Sequence, residues 1–592
     1  MTSNTPVQEN DNGYPKPQED SPPPLAALFL IKFDLKVGYT IAWKKSLDSV
    51  PLEGIVEYKS LPSGLHNVKE DLVYFVHEKY AGISAFMNTP AGSEERNAQF
   101  IAVGAMVKLG DGRLGRAWEH AGELKALAKK LVHDTADVSQ LEGYWKAHRL
   151  AESDEAESSE PQLSPYTASQ KRTRALSSLT LSPTTHKLPP YHPAHSILDY
   201  LDTFGPLTFP LHRAALLRKR ILFVTPAPVK LTCEYVYDLS ILSSLPLSLS
   251  SSLPLPSPSF TRLRPLFNIG IHDIPYLSSY SGTYPSASSG HPIAAEDEPI
   301  NEEHGVGWIG CTTDEILAMK PDLYDILVEL PQPDRKQPTK SKAKRKEGGI
   351  WPVIKYSKTG VEIKATQRDL RRYKLLRQAL SPLSQLRHGL SAKAEDADDD
   401  DELTHLLFHT NDSSEDGDTR TGEDKLAEPT SWSALAYGSF IFWASAGEKE
   451  EGLAEEEEQD HKILADLGET VRTATEAQRY HDSDEEGEDS QDRLKAEAEV
   501  EMGVIAYFHR VSKQLFEACV EVLDERSGTE GDEDARGDEE VVEVGSTELR
   551  RCGLDVWSEA DRDFLSDLVE IWFERAVEIH GIGVDLCGVR IC

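Results

Sequence analysis

Apolar residues in the first part of the chain come in short runs separated by polar turns, a pattern that predicts strands. The first run begins at Leu25 and is followed by four more: LAALFLIKF, KVGYTIAWKK, LVYFVHEKY, GISAFMN and QFIAVGAMVKL. We expect the third and fourth runs to pair about a turn at Ala81–Gly82. A helix is then predicted from near Arg116 by four apolar residues at helical spacing, Leu124, Leu127, Ala128 and Leu131. Residues 25–150 therefore predict an antiparallel sheet backed by a helix.

A second pattern, in residues 191–335, alternates helical and strand-like segments. A helix over 211–220 leads into a strand over 221–224, and a proline-rich turn separates this strand from the apolar segment 231–242. Such alternation is typical of an α/β lobe. Loops at 245–259 and 279–306 interrupt it.

Residues 350–592 predict a mostly helical region. Helical patterns occur at 367–380, 502–523 and 559–579, and the last two carry one apolar stripe each. Ser558 and Asp561 have the spacing of a capping box at the start of the last helix.

Charge divides the chain sharply. The 592 residues carry 63 Lys+Arg against 100 Asp+Glu, a net charge of -37. Residues 1–392 are close to neutral at +2, residues 393–540 carry −33, and residues 541–592 carry −6. The acidic excess therefore belongs to the C-terminal half.

Composition predicts which segments stay disordered. These are a leader (1–24), a Ser/Thr/Glu/Pro-rich linker (151–190) and acidic insertions at 393–430, 447–500 and 526–540, whereas residues 336–349 are interpreted only as a basic linker. We expect that deleting 395–430 and 447–500 leaves the front of the chain folded.

Several classes of protein are disfavoured by these features. An acidic chain is a poor sequence-independent partner for nucleic acid. We find no signal peptide and no apolar run of membrane-spanning length, and six scattered Cys without a CxxC pair are typical of a reducing compartment. We therefore expect a cytoplasmic protein, with peripheral contact with organelle membranes left open. Acylation of Cys587 or Cys592 is also left open, as is phosphorylation at Ser413, Ser414 or Ser483.

One glycine motif, residues 110–115, matches the dinucleotide-binding pattern G-x-G-x-x-G. We reject that interpretation because the preceding strands pattern as hairpins, no parallel strand follows the helix, and Asp111 would repel a pyrophosphate. The chain has no HExxH, GxSxG or P-loop motif. We therefore predict no catalytic residue, no metal site and no cofactor.

Ordered strings over 25–330 carry a family resemblance. They are FDLKVGYTIAWKKS, YKSLPSGLHNVKEDLVYFVHEKYAGISAF, FGPLTFPLHRAALLRKRILFV, CEYVYDLSILSSLP and GWIGCTTDEIL. In this order they resemble the LCHN-type branch of the DENN-module proteins, in a fungal-style version with an accessory C-terminal domain.

The resemblance implies a longin-like N-terminal lobe, a central α/β lobe and a role in membrane traffic. It further implies a guanine-nucleotide exchange factor for a Rab-type GTPase, which binds the GTPase across a surface shared by the two lobes. Such a factor stabilises the nucleotide-free GTPase and needs no acid, base or metal. The alternative is a non-catalytic DENN-like scaffold that binds a GTPase or a membrane partner.

Two groups of residues are candidates for GTPase contact. The first is Trp43, Lys44 and Lys45 at a hairpin end, and the second is Arg213, Arg218, Lys219 and Arg220 before the central strand. The competing interpretation is that the cations are solvated on a helix face and that Trp43 completes a core.

Overall fold

The computed structural model describes most of the two lobes and of the C-terminal region. The described residues are 22–34, 38–61, 63–64, 68–90, 98–109, 115–133, 137–150, 188–246, 249, 253, 261–280, 307–331, 351–394, 422–429, 446–481, 489–527, 541–580, 585–586 and 589–590. Some predictions fall outside them: the leader up to 21, the linker from 151 to 187, most of the two central loops, the basic linker, the glycine motif up to Leu114, the three candidate phosphorylation sites and both C-terminal Cys.

The N-terminal lobe is a five-stranded antiparallel sheet in the spatial order β3-β4-β5-β1-β2. Its strands are β1 Leu25–Asp34, β2 Gly38–Ser46, β3 Glu70–His77, β4 Tyr80–Pro90 and β5 Ala98–Lys108. Its helices are α1 Val56–Lys59, α2 Ala121–Leu131 and α3 Ser139–His148, with a 3-10 helix at Ala117–His120. The predicted sheet and its backing helix are confirmed.

The predicted turn at Ala81–Gly82 is wrong by a few residues. Ala81 and Gly82 already pair with Val76 and Phe75, so β3 and β4 meet at Glu78–Lys79, where Glu78 has a positive φ. Alternation along the strands explains the two buried faces. Leu28 and Leu30 belong to the core on the helical side, whereas Phe29 and Ile31 face the segment that contains α1.

Two glycines in this sheet are required by aromatic rings on the neighbouring strands. A Cβ at Gly82 would lie 2.1 Å from the Phe75 ring, and one at Gly104 would lie 2.2 Å from the Phe29 ring. Each ring fills the space above its glycine, so larger residues there would force the ring out of the core.

The central lobe extends the same sheet by five strands, in the order β10-β9-β6-β8-β7, with β7 next to β3. The strands are β6 Ile221–Val224, β7 Arg264–Asn268, β8 Trp308–Thr312, β9 Ile326–Glu329 and β10 Val353–Tyr356. β6, β7, β8 and β9 are parallel, and β10 is antiparallel to β9. A single registered pair, Phe75 with Phe267, joins the two lobes within the sheet.

The helices of the central lobe pack on both faces of this sheet: the first three share a buried cluster with Ile221 and Phe223, and the last two share another with Leu222. They are α4 Ile197–Phe204, α5 Thr208–Leu216, α6 Lys230–Leu242, α7 Ile274–Ser278 and α8 Glu315–Ala318, with 3-10 helices at Pro193–Ser196, Gly205–Leu207, Ile271–Asp273 and Pro321–Leu323. The predicted strand 221–224 is confirmed. The helix before it ends at Leu216, and Arg218 then adopts a φ of 53°, which a helix does not allow.

The C-terminal region is mostly helical, as the sequence predicts. Its elements are α9 Gln367–Ala394, α10 Ala446–His481, α11 Asp489–Ser527, α12 Ser546–Arg551 and α13 Glu559–Phe573, a 3-10 helix at Gly422–Lys425, and strands β11 Val542–Val544, β12 Val577–Ile579, β13 Asp585–Leu586 and β14 Val589–Arg590. The last helix ends at Phe573 and not near Ile579, because Glu574 turns into the left-handed region and β12 then pairs with β11.

The prediction that 447–500 is disordered is wrong for its helical part. α10 buries Ile463, Leu464, Leu467 and Val471, which recur at helical spacing within the acidic sequence. Cations from α9, far earlier in the chain, compensate the buried acids: Asp460 pairs with both Arg368 and Arg372. Net charge therefore misleads here because the opposite charge comes from another segment.

The C-terminal helices are built onto the central lobe and share its core. Val504 and Phe508 of α11 belong to the same buried cluster as Tyr237 of α6 and Phe209 of α5, and the Phe508 ring lies 5.7 Å from that of Phe209. α6 consequently has the sheet on one side and α11 on the other, and every residue from Thr232 to Leu242 is buried.

Candidate functional site

The first predicted contact group lies on β2, at the free end of the ten-stranded sheet. Lys44 and Lys45 are exposed, and Lys44 forms an ion pair with Glu53. Trp43 is half-buried against the core. Lysines on an edge strand also discourage pairing with another chain, so their exposure fits two roles.

The second group lies in α5 and at the turn from α5 to β6, where residues of α9 and α13 pack over it. Arg213 donates to both carboxylate oxygens of Asp369, at 2.8 and 2.6 Å, and its Nε lies 3.3 Å from Asp561. Both carboxylates are buried. Burial raises the pKa of Asp561 to about 7, although Arg213 acts in the opposite direction.

The neighbouring cations also have partners within the chain. Arg218 stacks on Trp572 at 5.1 Å, Arg220 pairs with Asp325 at 2.8 Å, and Lys219 pairs with Asp567 at 3.1 Å. Arg218 and Arg220 are buried, whereas the Lys219 side chain is one-third exposed. Contact with a partner requires exposed side chains. Lys44 and Lys45 are exposed and Lys219 is partly exposed, whereas the three arginines are not exposed.

A different surface lies at the opposite edge of the central sheet, where the loops after the parallel strands emerge. In parallel sheets this carboxyl edge is the usual place for binding. The segment from Val56 to Gly64 of the N-terminal lobe reaches it: Lys59 accepts a hydrogen bond from Asn268 Nδ2 through its carbonyl at 3.0 Å, and Ser63 donates to Asp314. Both lobes therefore contribute to this edge.

Lys59 fastens the two lobes together. Its Nζ lies 2.5 Å from Asp273 Oδ1 and donates to the carbonyl of Val76 at 2.6 Å, and both charged side chains are almost fully buried. Beside this ion pair the Tyr58 ring stacks on the His272 ring, with centroids 3.8 Å apart.

Asp71 makes a second connection between the lobes. Its carboxylate accepts hydrogen bonds from the backbone amides of Val229 and Lys230, at 2.8 and 3.1 Å, and so caps the start of α6. Burial raises the pKa of Asp71, and these hydrogen bonds together with that of Leu72 oppose the rise.

Four large apolar side chains are exposed on the loops of this edge. Their exposed fractions are 49% for Tyr58, 40% for Ile271, 54% for Ile316 and 73% for Met319. We name Tyr58, Ile271, Ile316 and Met319 the seam patch. Clustered exposed apolar residues mark protein-interaction surfaces more often than isolated ones do.

Sequence reasoning missed the seam patch although its residues were visible. Ile316 and Met319 stand in an apolar stretch that follows a buried strand, which is where core residues also stand. Only the meeting of three separate segments, at Tyr58, Ile271 and Ile316, distinguishes a surface from a core.

Within the described residues, no group of three or more His, Cys, Asp or Glu side chains is arranged to hold a metal ion. None of the helices there combines the length and the apolar run that crossing a membrane requires.

In comparisons with known proteins, two family models match different parts of the chain. Residues 28–340 match the family described as DENN domain-containing protein 11, and residues 427–592 match a domain of unknown function, DUF4484. The first match covers the two lobes except β10, and the second covers the helical region from α10 onward.

Relatives match either nearly the whole chain or about half of it. The chain is similar to the uncharacterized protein ANR2 of Saccharomyces cerevisiae, 23% identical over 95% of this chain and 93% of the yeast protein. It is also similar to DENN domain-containing protein 11 of Xenopus laevis and of Danio rerio, each 27% identical over 52% of this chain; the matches span 59% and 53% of those proteins. On the match of residues 28–340, this chain belongs to the DENN domain-containing protein 11 family.

Proposed function

We propose that this protein is a guanine-nucleotide exchange factor for a Rab-type small GTPase in membrane traffic. Membership of the DENN domain family supports the activity, because the DENN resemblance implies exchange on Rab proteins. The observation that carries the proposal on the molecule itself is the seam patch, where large apolar side chains of both lobes are exposed on segments that touch through the Tyr58–His272 stack and the Ser63–Asp314 hydrogen bond.

The GTPase binds at the seam patch. Interfaces draw most of their binding energy from a few large side chains that lose water together, and Tyr58, Ile316 and Met319 are of this kind. The Lys59–Asp273 ion pair and the Asp71 cap hold the two lobes in one arrangement, so little ordering is needed when the partner binds.

Exchange needs no acid or base from this chain. A factor that binds the nucleotide-free GTPase more tightly than the nucleotide-bound form shifts the equilibrium toward nucleotide release. By reciprocity, nucleotide binding then weakens the GTPase's affinity for the factor by the same ratio, so incoming GTP releases it.

The test is GDP release from a panel of Rab proteins by the full chain, compared with two matched variants. Ile316→Asp places a charge in the seam patch, where Ile316 is 54% exposed. Val361→Asp places the same charge on a side chain that is 58% exposed and lies next to β10, away from the seam. We expect one Rab to be stimulated, the first variant to lose at least about tenfold of the stimulation, and the second to keep it.

Other outcomes have definite meanings. Tight binding of a nucleotide-free Rab without faster GDP release identifies the scaffold and overturns exchange activity. Binding by no Rab overturns both. Equal loss in the two variants, or no loss in either, removes the seam patch as the contact surface.

A further inference from the structure

An unusual set of acidic side chains is buried where α6 meets α11 and the segment 193–204. Glu234 and Asp238 lie one turn apart on α6, and their exposed fractions are 7% and 0%. Glu501 of α11 is 2% exposed and lies on the same interface. Buried carboxylates are rare unless they are paired or protonated.

Few hydrogen bonds compensate Asp238. Ser196 Oγ donates to its Oδ2 at 2.6 Å, and Oδ1 receives no hydrogen bond from the described residues. A fully buried carboxylate with a single neutral donor is much more stable as the protonated acid. Its neighbours strengthen this preference, since Glu234, Glu501 and Asp199 are close enough to disfavour a further negative charge.

Two cationic side chains lie close to the other carboxylates of the cluster. His195 Nδ1 lies 3.1 Å from Glu501 Oε2, and its Nε2 lies 3.1 Å from the carbonyl of Pro189. Lys230 Nζ lies 3.5 Å from Glu234.

The other titratable groups around the cluster add little positive charge. They face it from every packed element: Asp71 and Tyr74 on β3, Cys311 on β8, His192, Tyr200, His212, Arg213, Cys233, Tyr235, Tyr237, Arg262 and His509. Burial lowers the pKa of His192, His212 and His509, so these imidazoles are neutral near pH 7. Arg262 stacks on Tyr237 and Arg213 pairs with Asp369 and Asp561.

We propose that docking of α11 on the central lobe is proton-linked: the interface takes up protons when it closes and loosens as the pH rises. The C-terminal region is thereby a pH-sensitive clamp on α6.

The direction of the pH dependence follows from three groups that act together, Glu234, Asp238 and His195. Burial raises the pKa of Glu234 to about 7 and raises that of Asp238 well above its usual value. For His195, burial lowers the pKa, the bond to Glu501 raises it, and the net change is a rise. All three hold protons more tightly when the interface is closed, so the stabilisation is complete at low pH and is lost as the pH rises through these values.

Hydrogen exchange of the full chain tests the clamp, read in peptides from residues 498–508 of α11 at about pH 6 and about pH 8 and corrected for the intrinsic rate. For a carboxyl with a pKa near 7, we expect protection to fall at least about tenfold over this range. Glu234→Gln combined with Asp238→Asn mimics the protonated acids and should remove most of the fall. Glu517→Gln, on an exposed part of the same helix, should keep it.

Equal protection of wild-type α11 at both pH values overturns the proposal, and so does an unchanged fall in the double variant. Should the double variant unfold, the single Glu234→Gln variant gives the same comparison, because it removes the carboxyl whose pKa is raised to about 7. The proposal is independent of the GTPase partner, so failure of the exchange assay leaves it standing.

Discussion

The two edges of the central sheet differ in exposure: helices cover the amino edge, whereas the carboxyl edge exposes apolar side chains. At the amino edge, around Leu217–Arg220, α13 and α9 cover the turn, and Trp572 Nε1 donates to the Leu216 carbonyl at 3.1 Å. At the carboxyl edge, the loops after β7 and β8 leave Ile271, Ile316 and Met319 exposed.

This difference reverses the roles that residue type suggests. The cations Arg213, Arg218 and Arg220 resemble a binding surface in sequence, but Arg218 and Arg220 are buried and the Arg213 side chain is only 12% exposed. Apolar Ile316 and Met319 resemble core residues in sequence but face solvent. Burial, and not residue type, decides which edge is available to a partner.

The strongest way to break the comparison is to remove α10, whose Asp460 pairs with Arg368 and Arg372 of α9, part of the cover of the amino edge. Deleting 447–500 takes away α10 and the start of α11, and leaves Arg368 and Arg372 buried without Asp460. In contrast to the expectation from composition that the front of the chain stays folded without 447–500, we now expect loss of the cooperative thermal transition measured by circular dichroism, because buried charges without partners are strongly unfavourable. Deleting 155–186, in the predicted linker, is the control and should keep the transition. An unchanged thermal transition after deletion of 447–500 would contradict the packing of α10 against α9.

A point substitution at the same edge should have the next largest effect. Arg213→Ala leaves Asp369 and Asp561 buried without their cation, and we expect the free energy of unfolding to fall by about 3–5 kcal/mol. Lys219→Ala, which removes a partly exposed pair, should change it by less than about 1 kcal/mol. Urea denaturation measures both, and similar values for the two would mean that Arg213 is not structural.

At the carboxyl edge the effects on stability should be smaller. Asp71→Ala removes the cap of α6, and we expect a loss of about 1–2 kcal/mol in the same urea experiment. Glu70→Ala, next to it in the chain but in an exposed pair with Lys125, is the control. A loss in the control as large as in Asp71→Ala would show that the cap contributes nothing of its own.

The smallest effect on stability is expected at the seam patch itself. Met319→Ser should change the free energy of unfolding by no more than about 0.5 kcal/mol, because the side chain is 73% exposed. Met106→Ser, in the fully buried β5 position, should cost about 2–5 kcal/mol. A large loss of stability in Met319→Ser would show that Met319 is a core residue, and the carboxyl edge would then not differ from the amino edge.

Local patterns predicted much of the fold. Strand periodicity between Leu25 and Lys108 gave the N-terminal sheet, and helical periodicity gave α2, the start of α13 and the part of α11 from 502 to 523, although α11 begins already at Asp489. Boundaries failed where one residue changes the backbone, as at Glu78, Arg218 and Glu574, each with a positive φ. Such residues carry no strong sequence signal because none is glycine.

The site was less predictable than the fold. The residues at the start of α13 illustrate why. The Ser558 hydroxyl accepts a hydrogen bond from the Asp561 amide at 3.3 Å, as a capping residue should. The Asp561 carboxylate, however, accepts from the backbone amide of Asp555 and lies beside Arg213. The cap is local and readable, whereas the destination of the carboxylate depends on a segment more than 300 residues away.

The sequence by itself determined the two-lobe α/β order, the helical C-terminal region and the lack of a recognisable catalytic motif, since these depend on spacing between neighbouring residues. Only the tertiary structure decided which charges are buried and which apolar residues are exposed. Arg213 meets Asp369 across 156 residues, and Tyr58 meets His272 on another lobe. Pairing at such separations depends on how whole elements pack, and packing sets both the clamp at α6 and the open seam patch.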